Sequence, residues 1–304
     1  MFLKPLEGSD YNLRRAIASA MASILAQSQN PAPIQKETVK RFALFLGSSS
    51  SNQQEDAASI NPDKKILTLE EMFSVFTTLL LKAEPKVVKI GILEAYASLL
   101  RQLGVEFLES NYSIVIKKLL ELGTHAKLAA SKNDALFMQH ACRFLMRENV
   151  GKMLSYLGQI SAVNDLISGW IRRWPAVTGN EVPPSDATLV LVLDELAALL
   201  TDLGPAAAST QDLVIDPLAI LLSHTSQTVN LSLAWCMRCL CTSLPDQLPK
   251  LIGKIVGLLQ RDAGPSNSDK IESMDKIIGH GNVLASLVCV IPLRPLYIFM
   301  NLLL

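Results

Sequence analysis

Apolar residues recur three and four positions apart along nearly all of this 304-residue chain, and the runs stop at clusters of Gly, Pro and Ser. An α-helix turns once in about 3.6 residues, so that spacing gathers the apolar side chains on one stripe, which must then be covered by a neighbour. Alternation of period two, the mark of a half-buried strand, is almost absent. The chain is therefore expected to be all-α, with helices at 10–27, 33–46, 66–82, 86–103, 106–122, 132–149, 151–172, 186–203, 211–223, 227–244, 246–260 and 273–290. Hydrophobic residues make up 49% of the chain and aromatics only 6%, a Leu, Ala, Ile and Val bias that suits helices packed on helices.

These helices pair into hairpins, and the hairpins resemble one another. Leu100-Arg-Gln-Leu-Gly104, Leu200-Thr-Asp-Leu-Gly204 and Cys241-Thr-Ser-Leu-Pro245 each close a helix with an apolar residue, a Leu and a breaker. Positions 204 and 245 lie 41 apart, inside the roughly 40–47 residue period of HEAT and armadillo repeats. Leu79-Leu-Leu-Lys-Ala-Glu-Pro-Lys-Val-Val-Lys89 also matches Leu221-Leu-Ser-His-Thr-Ser-Gln-Thr-Val-Asn230: a Leu-rich helix, a short polar turn, then a Val that opens the next helix. HEAT repeats usually carry Arg after that Val, where this chain has Lys89 and Asn230. The expected architecture over 1–304 is an α-solenoid of HEAT-type antiparallel helix pairs, an armadillo-like α-α superhelix. Its polar insertions at 47–62 and 175–185, and a shorter one at 262–269, read as mobile loops.

Lys plus Arg and Asp plus Glu both total 28, so no net field draws in nucleic acid or anionic lipid. Five cysteines are an odd number in a chain long enough to bury a core without covalent staples, which fits a reducing, cytosolic setting. Met1 to Asp10 lacks the basic start and apolar core of a secretion signal. Positions 283–304 are long and apolar enough to span a bilayer, but Pro292, Arg294 and Pro295 interrupt them, as expected between two solenoid helices. Because Leu304 stops inside an apolar run, the chain reads as part of a larger solenoid.

No constellation of residues points to catalysis, a cofactor or a metal. Cys236, Cys239 and Cys241 have one spacing used for zinc, yet a second Cys pair is missing and the run is apolar and helical, so they read as small core residues. His125, His140, His224 and His280 are scattered, and are expected on helix surfaces or turns, with Gly279-His280-Gly281 as a flexible helix start. Asp194 and Glu195 diverge by about 100° on a helix and read as solvated or capping groups. Trp235 reads as core. Trp174, at a helix end beside Pro175 and after Arg172 and Arg173, is the expected partner-contact residue.

The block 145–295 resembles the HEAT-repeat-containing protein five family, whose fungal members are large accessory proteins of the clathrin adaptor. Leu145-Met-Arg-Glu-Asn-Val-Gly-Lys-Met-Leu154 and Gln159-Ile-Ser-Ala162 are similar to the family's Leu-Arg-x-x-x-Gly-x-x-Leu and Gln-Ile-x-Ala. Leu221-Leu-Ser-His224, Leu233-Ala-Trp-Cys-Met-Arg-Cys-Leu240 and Leu244-Pro-Asp-Gln-Leu248 resemble its Leu-Leu-x-His, Ala-Trp-Cys-Leu-Arg-Cys and Leu-Pro-x-Gln-Leu, the middle segment being the specific one. Gly281-Asn-Val-Leu-Ala-Ser-Leu287 and Pro292-Leu-Arg-Pro-Leu-Tyr297 resemble its small-residue helix and following turn. The resemblance implies a non-catalytic scaffold that binds the clathrin adaptor complex and its accessory subunits in sorting between endosomes and the trans-Golgi network. It implies a cytoplasmic protein, peripheral at the trans-Golgi network, endosomes and clathrin-coated vesicles, and held at membranes through partners. A HEAT scaffold of another pathway, such as a nuclear transport receptor or phosphatase scaffold, is the competing expectation.

Overall fold

The structure, a computed structural model, describes residues 3–27, 68–176, 182–263 and 270–293. The expected helix at 33–46 and loop at 47–62 lie outside those residues, as do the centre of the 175–185 loop and most of 262–269. Among the described residues there are helices and turns and no strand, so the chain is all-α. It divides into two compact units, Met1–Ser110 with His125–Ala135, and Asn111–Thr124 with Leu136–Leu304.

The first unit holds α1 (Leu3–Glu7), α2 (Tyr11–Gln27), α3 (Leu69–Lys82), α4 (Lys86–Leu103) and α5 (Val105–Ser110). Helix α3 starts at a capping box: Thr68 Oγ1 accepts from the Glu71 N–H at 3.2 Å, and the Glu71 carboxylate accepts from the Thr68 N–H at 2.6 Å. Its apolar face turns Phe73 and Phe76 onto Tyr96 of α4, both with ring centroids 5.0 Å away. Such ring pairs add about 0.5–1.5 kcal/mol to their area burial. Helix α2 lies along α4, joined by Arg14 and Glu94 at 3.3 Å, and α1 also packs on α4.

The second unit holds α6 (Tyr112–Gly123), α7 (Lys132–Asn149, from Leu136 onward), α8 (Tyr156–Gly169), α9 (Asp186–Leu203), α10 (Gln211–Leu221), α11 (Gln227–Ser243), α12 (Leu248–Asp262) and α13 (Lys270–Val288). Helices two apart in sequence lie side by side, α9 against α11 and α11 against α13. One hydroxyl crosses each of these seams: Ser243 Oγ donates to the Leu200 carbonyl and Ser286 Oγ to the Ala234 carbonyl, both at 2.8 Å. Helix α7 joins α9 through the ion pairs Arg143–Asp194 and Arg147–Asp202. Helices α6 and α8 also pack on α9, α10 packs on α8 and α11, and α12 packs on α13.

This arrangement explains the sequence of α9. Leu189, Val190, Leu191, Val192, Leu193, Leu196, Ala197, Leu199, Leu200 and Leu203 are all buried, so the helix is apolar nearly all round. Burying one such side chain fully contributes on the order of 1.5–3 kcal/mol, and a helix like this is stable only when enclosed.

Helices α4, α7 and α9 match their expected bounds residue for residue. The expected helix 106–122 is instead two, parted at Asn111, whose φ of −121° and ψ of 17° are not helical. Asn competes with its own backbone for hydrogen bonds, which favours such a break. The expected helix 151–172 is a 3₁₀ turn at Gly151–Met153, then α8, then a 3₁₀ turn at Ile171–Arg173; α8 starts where Ser155 Oγ accepts from the Gly158 N–H at 3.1 Å. His280 is not at a helix start. It lies in the second half of α13, 2% exposed.

Gly104 and Gly204 end α4 and α9 with φ of 83° and 53°, values that only glycine adopts without strain. Gly253 sits inside α12 with open space where a methyl group would stand. Opposite signs follow for one chemical change. Gly204→Ala should lower unfolding stability by about 1–3 kcal/mol, and Gly253→Ala should raise it by about 0.5–1 kcal/mol. Urea titration of the two variants reads both effects.

Candidate functional site

A groove of about 260 Å³ lies where α7, α9 and α11 meet. Met146, Leu191, Ala198 and Trp235 supply its apolar walls, and Arg143, Arg147, Asp194 and Glu195 its polar groups. Leu191, Asp194, Glu195 and Ala198 are three and four apart on α9, so they form one line along that helix. Arg143, Met146 and Arg147 repeat the pattern on α7.

The polar groups form a ladder across the three helices. Asp194 pairs with Arg143 at 2.6 Å on one side and hydrogen-bonds Ser232 of α11 on the other. Burial pushes the Asp194 carboxyl up, and Arg143 and Ser232 oppose that rise. Arg147, one turn beyond Arg143 on α7, pairs with Asp202, about two turns beyond Asp194 on α9. Between these pairs stands Glu195, 4% exposed, whose Oε1 is buried without a hydrogen-bond partner. Arg147 Nη1 and the Tyr112 hydroxyl are also buried without partners.

Burial pushes the Glu195 carboxyl from 4.5 to about 7; Arg147 lowers it, while Asp202, Asp194 and Glu148 raise it. Burial and Glu195 together hold the Tyr112 phenol well above its ordinary range. Gly151 makes room for the carboxylate, since a methyl group there would overlap Glu195 Oε1 and stand 3.3 Å from Arg147 Nη1. The expectation of a solvated Glu195 is thus corrected. Its positions three and four away on α9 (Leu191, Val192, Ala198, Leu199) are all apolar, a signal that the residue points inward.

Trp235 is a second correction. It is 53% exposed, although Leu233, Ala234, Cys236 and Met237 around it are buried. On α11 it shares an arc with Leu231, also 53% exposed, and with Arg238, whose guanidinium carbon lies 5.7 Å from the indole centroid. A polar residue three positions on was the available sign that this arc faces water.

The other singled-out residues lie apart from the groove. Trp174 is half-buried, its ring 4.7 Å from that of His224. His224 lies in the turn between α10 and α11, one of the placements expected for it, and is buried there: its Nδ1 accepts from the Ser226 N–H at 3.0 Å and its Nε2 stands 3.8 Å from Asp186. Burial lowers its pKa and Asp186 opposes that. His280 hydrogen-bonds the Leu222 backbone and faces Asp262 at 3.3 Å; burial lowers its pKa and Asp262 raises it. His140 is exposed and His125 half-buried. Cys142, Cys236, Cys239 and Cys241 are buried and burial pushes their thiols up, Cys142 and Cys241 to about 12. Such thiols behave as small apolar groups. Cys289 is exposed.

Asn230, in the first turn of α11, is buried and donates to the His224 carbonyl at 3.0 Å. It ties the polar turn to α11 without a charge. The segment Met274–Leu293 is long and apolar enough to cross a membrane, and α13, which makes up most of it, packs beside α11 and α12.

Between pH 4.5 and about 7 the folded chain keeps a proton on Glu195 that the unfolded chain has released. Stability from this residue therefore falls as pH rises through that window. Glu195→Gln, which cannot ionise, should gain on the native chain by on the order of 2–3 kcal/mol between pH 5 and pH 8. Denaturant midpoints of the two proteins at both pH values test this; a constant difference would contradict it.

No protein-family model and no solved structure matches this chain, so the chemistry of the groove rests on its own residues.

Proposed function

We propose that this chain is a segment of an α-solenoid scaffold that works by presenting surface to other proteins and not by catalysis. One observation carries the reading: in the second unit, helices two apart in sequence lie side by side, with a serine hydroxyl bonded to the neighbour's backbone at each seam. Stacked helical hairpins produce this relation between alternate helices, because each hairpin covers the apolar face that its neighbour leaves open. The recurring glycine stops at Gly104 and Gly204 support the same repeat. The non-catalytic reading is supported by the histidines, two of which are engaged inside turns and helix contacts, and by the cysteines, four of which are buried.

The resemblance of 145–295 to the HEAT-repeat-containing protein five family supports a role in clathrin-adaptor traffic between endosomes and the trans-Golgi network. In this proposal the partners are the adaptor complex and its accessory subunits, and membranes are reached through them. Binding would depend on a few anchor residues, since in most interfaces a minority of positions carries the affinity. Affinity capture from cell extract with the intact protein as bait should enrich clathrin adaptor subunits over a bait of unrelated sequence. Clean absence of those subunits would remove the adaptor assignment.

A further inference from the structure

We propose that the turn between α10 and α11 carries a pH-operated catch, in which the neutral imidazole of His224 holds the start of α11 and its protonation lets that start go. Nothing in the catch depends on which partners the scaffold takes.

Two bonds tie His224 to α11. Its Nδ1 accepts from the Ser226 N–H at 3.0 Å, and its carbonyl accepts from the Asn230 side chain at 3.0 Å. Ser226 is the N-cap of α11, and its own side chain makes no cap bond. The first N–H groups of a helix have no intrahelical acceptor, so an outside group must serve them. The imidazole of His224 does what Asn or Asp does in an Asx turn, where a side chain accepts from the N–H two residues on.

The Ser226 bond exists in one protonation state. A neutral imidazole has one donor and one acceptor nitrogen, so an accepting Nδ1 puts the proton on Nε2, which stands 3.8 Å from Asp186 at the start of α9. In the imidazolium both nitrogens donate, so two donors would face each other and the bond is lost. The added charge would also lie at the N-terminus of α11, the end of the helix dipole that disfavours cations.

The surroundings set the direction of the titration. His224 is buried, with the Trp174 ring 4.7 Å from its own. Asp186 favours the charged form, but burial outweighs it and holds the pKa below its ordinary 6.5. The facing groups of Trp174, after α8, and of Ser226 and Asn230 carry no charge. His280 of α13 bonds the Leu222 backbone at the start of the same turn, with Asp262 and Arg261 of α12 and Lys276 of α13 around it. Opening the turn frees His224 to take up a proton, so opening becomes easier as pH falls below 6.5.

The catch reaches the next seam. Asn230 stands against α13 at Gly279, where a methyl group would come within 2.6 Å of the Asn230 amide nitrogen. Letting go of the start of α11 therefore loosens its contact with α13.

Histidine NMR and hydrogen exchange on the whole chain test the catch. At pH 7.5 His224 should show the Nε2–H tautomer, and its titration midpoint should lie below 6.5 and move further down in Asp186→Asn. Protection of the Ser226 and Asn230 amides, corrected for intrinsic exchange, should fall roughly two- to tenfold between pH 7.5 and pH 5.5, as the loss of one hydrogen bond dictates. His224→Asn keeps an acceptor two residues before Ser226 and cannot be protonated, so it should hold its protection at both pH values. His224→Leu, which has no acceptor, should show weak protection at both. An Nδ1–H tautomer at pH 7.5, or unchanged protection of the native chain at pH 5.5, would overturn the catch. A pH-dependent loss that survives in His224→Asn would also overturn it and assign the loss to His280.

Discussion

The enclosure of α9 is the constraint on which the second unit depends. Its side chains are apolar in nearly every direction, from Leu189 to Leu203, so no single partner can cover it. Helices α6 and α8 pack on it, α11 lies along it, and α7 reaches it through two ion pairs. Removing any one of these neighbours would return Leu or Val surface to water at about 25 cal/mol per Å².

The same enclosure produces the site. Glu195 stands on an apolar arc of α9, and the helices that bury its neighbours bury it too. Burial raises its pKa, Arg147 only partly offsets that, and Gly151 leaves space where any side chain would collide. A carboxyl in that state costs stability, as buried charges without full pairing do.

Much of the architecture was legible in the residues, because helix ends are set by local chemistry. Gly104 and Gly204 stop α4 and α9, and Ser185 starts α9 by accepting from the Thr188 N–H at 3.2 Å. Where the chain departs from the reading, a local group competes with the period: Asn111 divides one expected helix and Ser155 caps another. The site was much less legible. Trp235 reads as core because its sequence neighbours are apolar, yet phase on the helix, not adjacency, decides exposure, and Arg238 marks its arc as outward. The burial of His224 in its turn, and of His280 within α13, was not legible because their partners, Asp186, Asp262 and the Leu222 backbone, come from other segments. No single stretch of sequence displays such a pairing.

Native-state hydrogen exchange tests the central claim, that α9 is enclosed by alternate helices, most directly. Amides of α9 from Leu191 to Leu200 and of α11 from Leu233 to Leu240 should exchange together, at the slowest rate in the second unit, through its global unfolding. Amides of α9 exchanging ahead of those in α12, whose outer face carries Lys250, Lys254 and Arg261, would contradict the account.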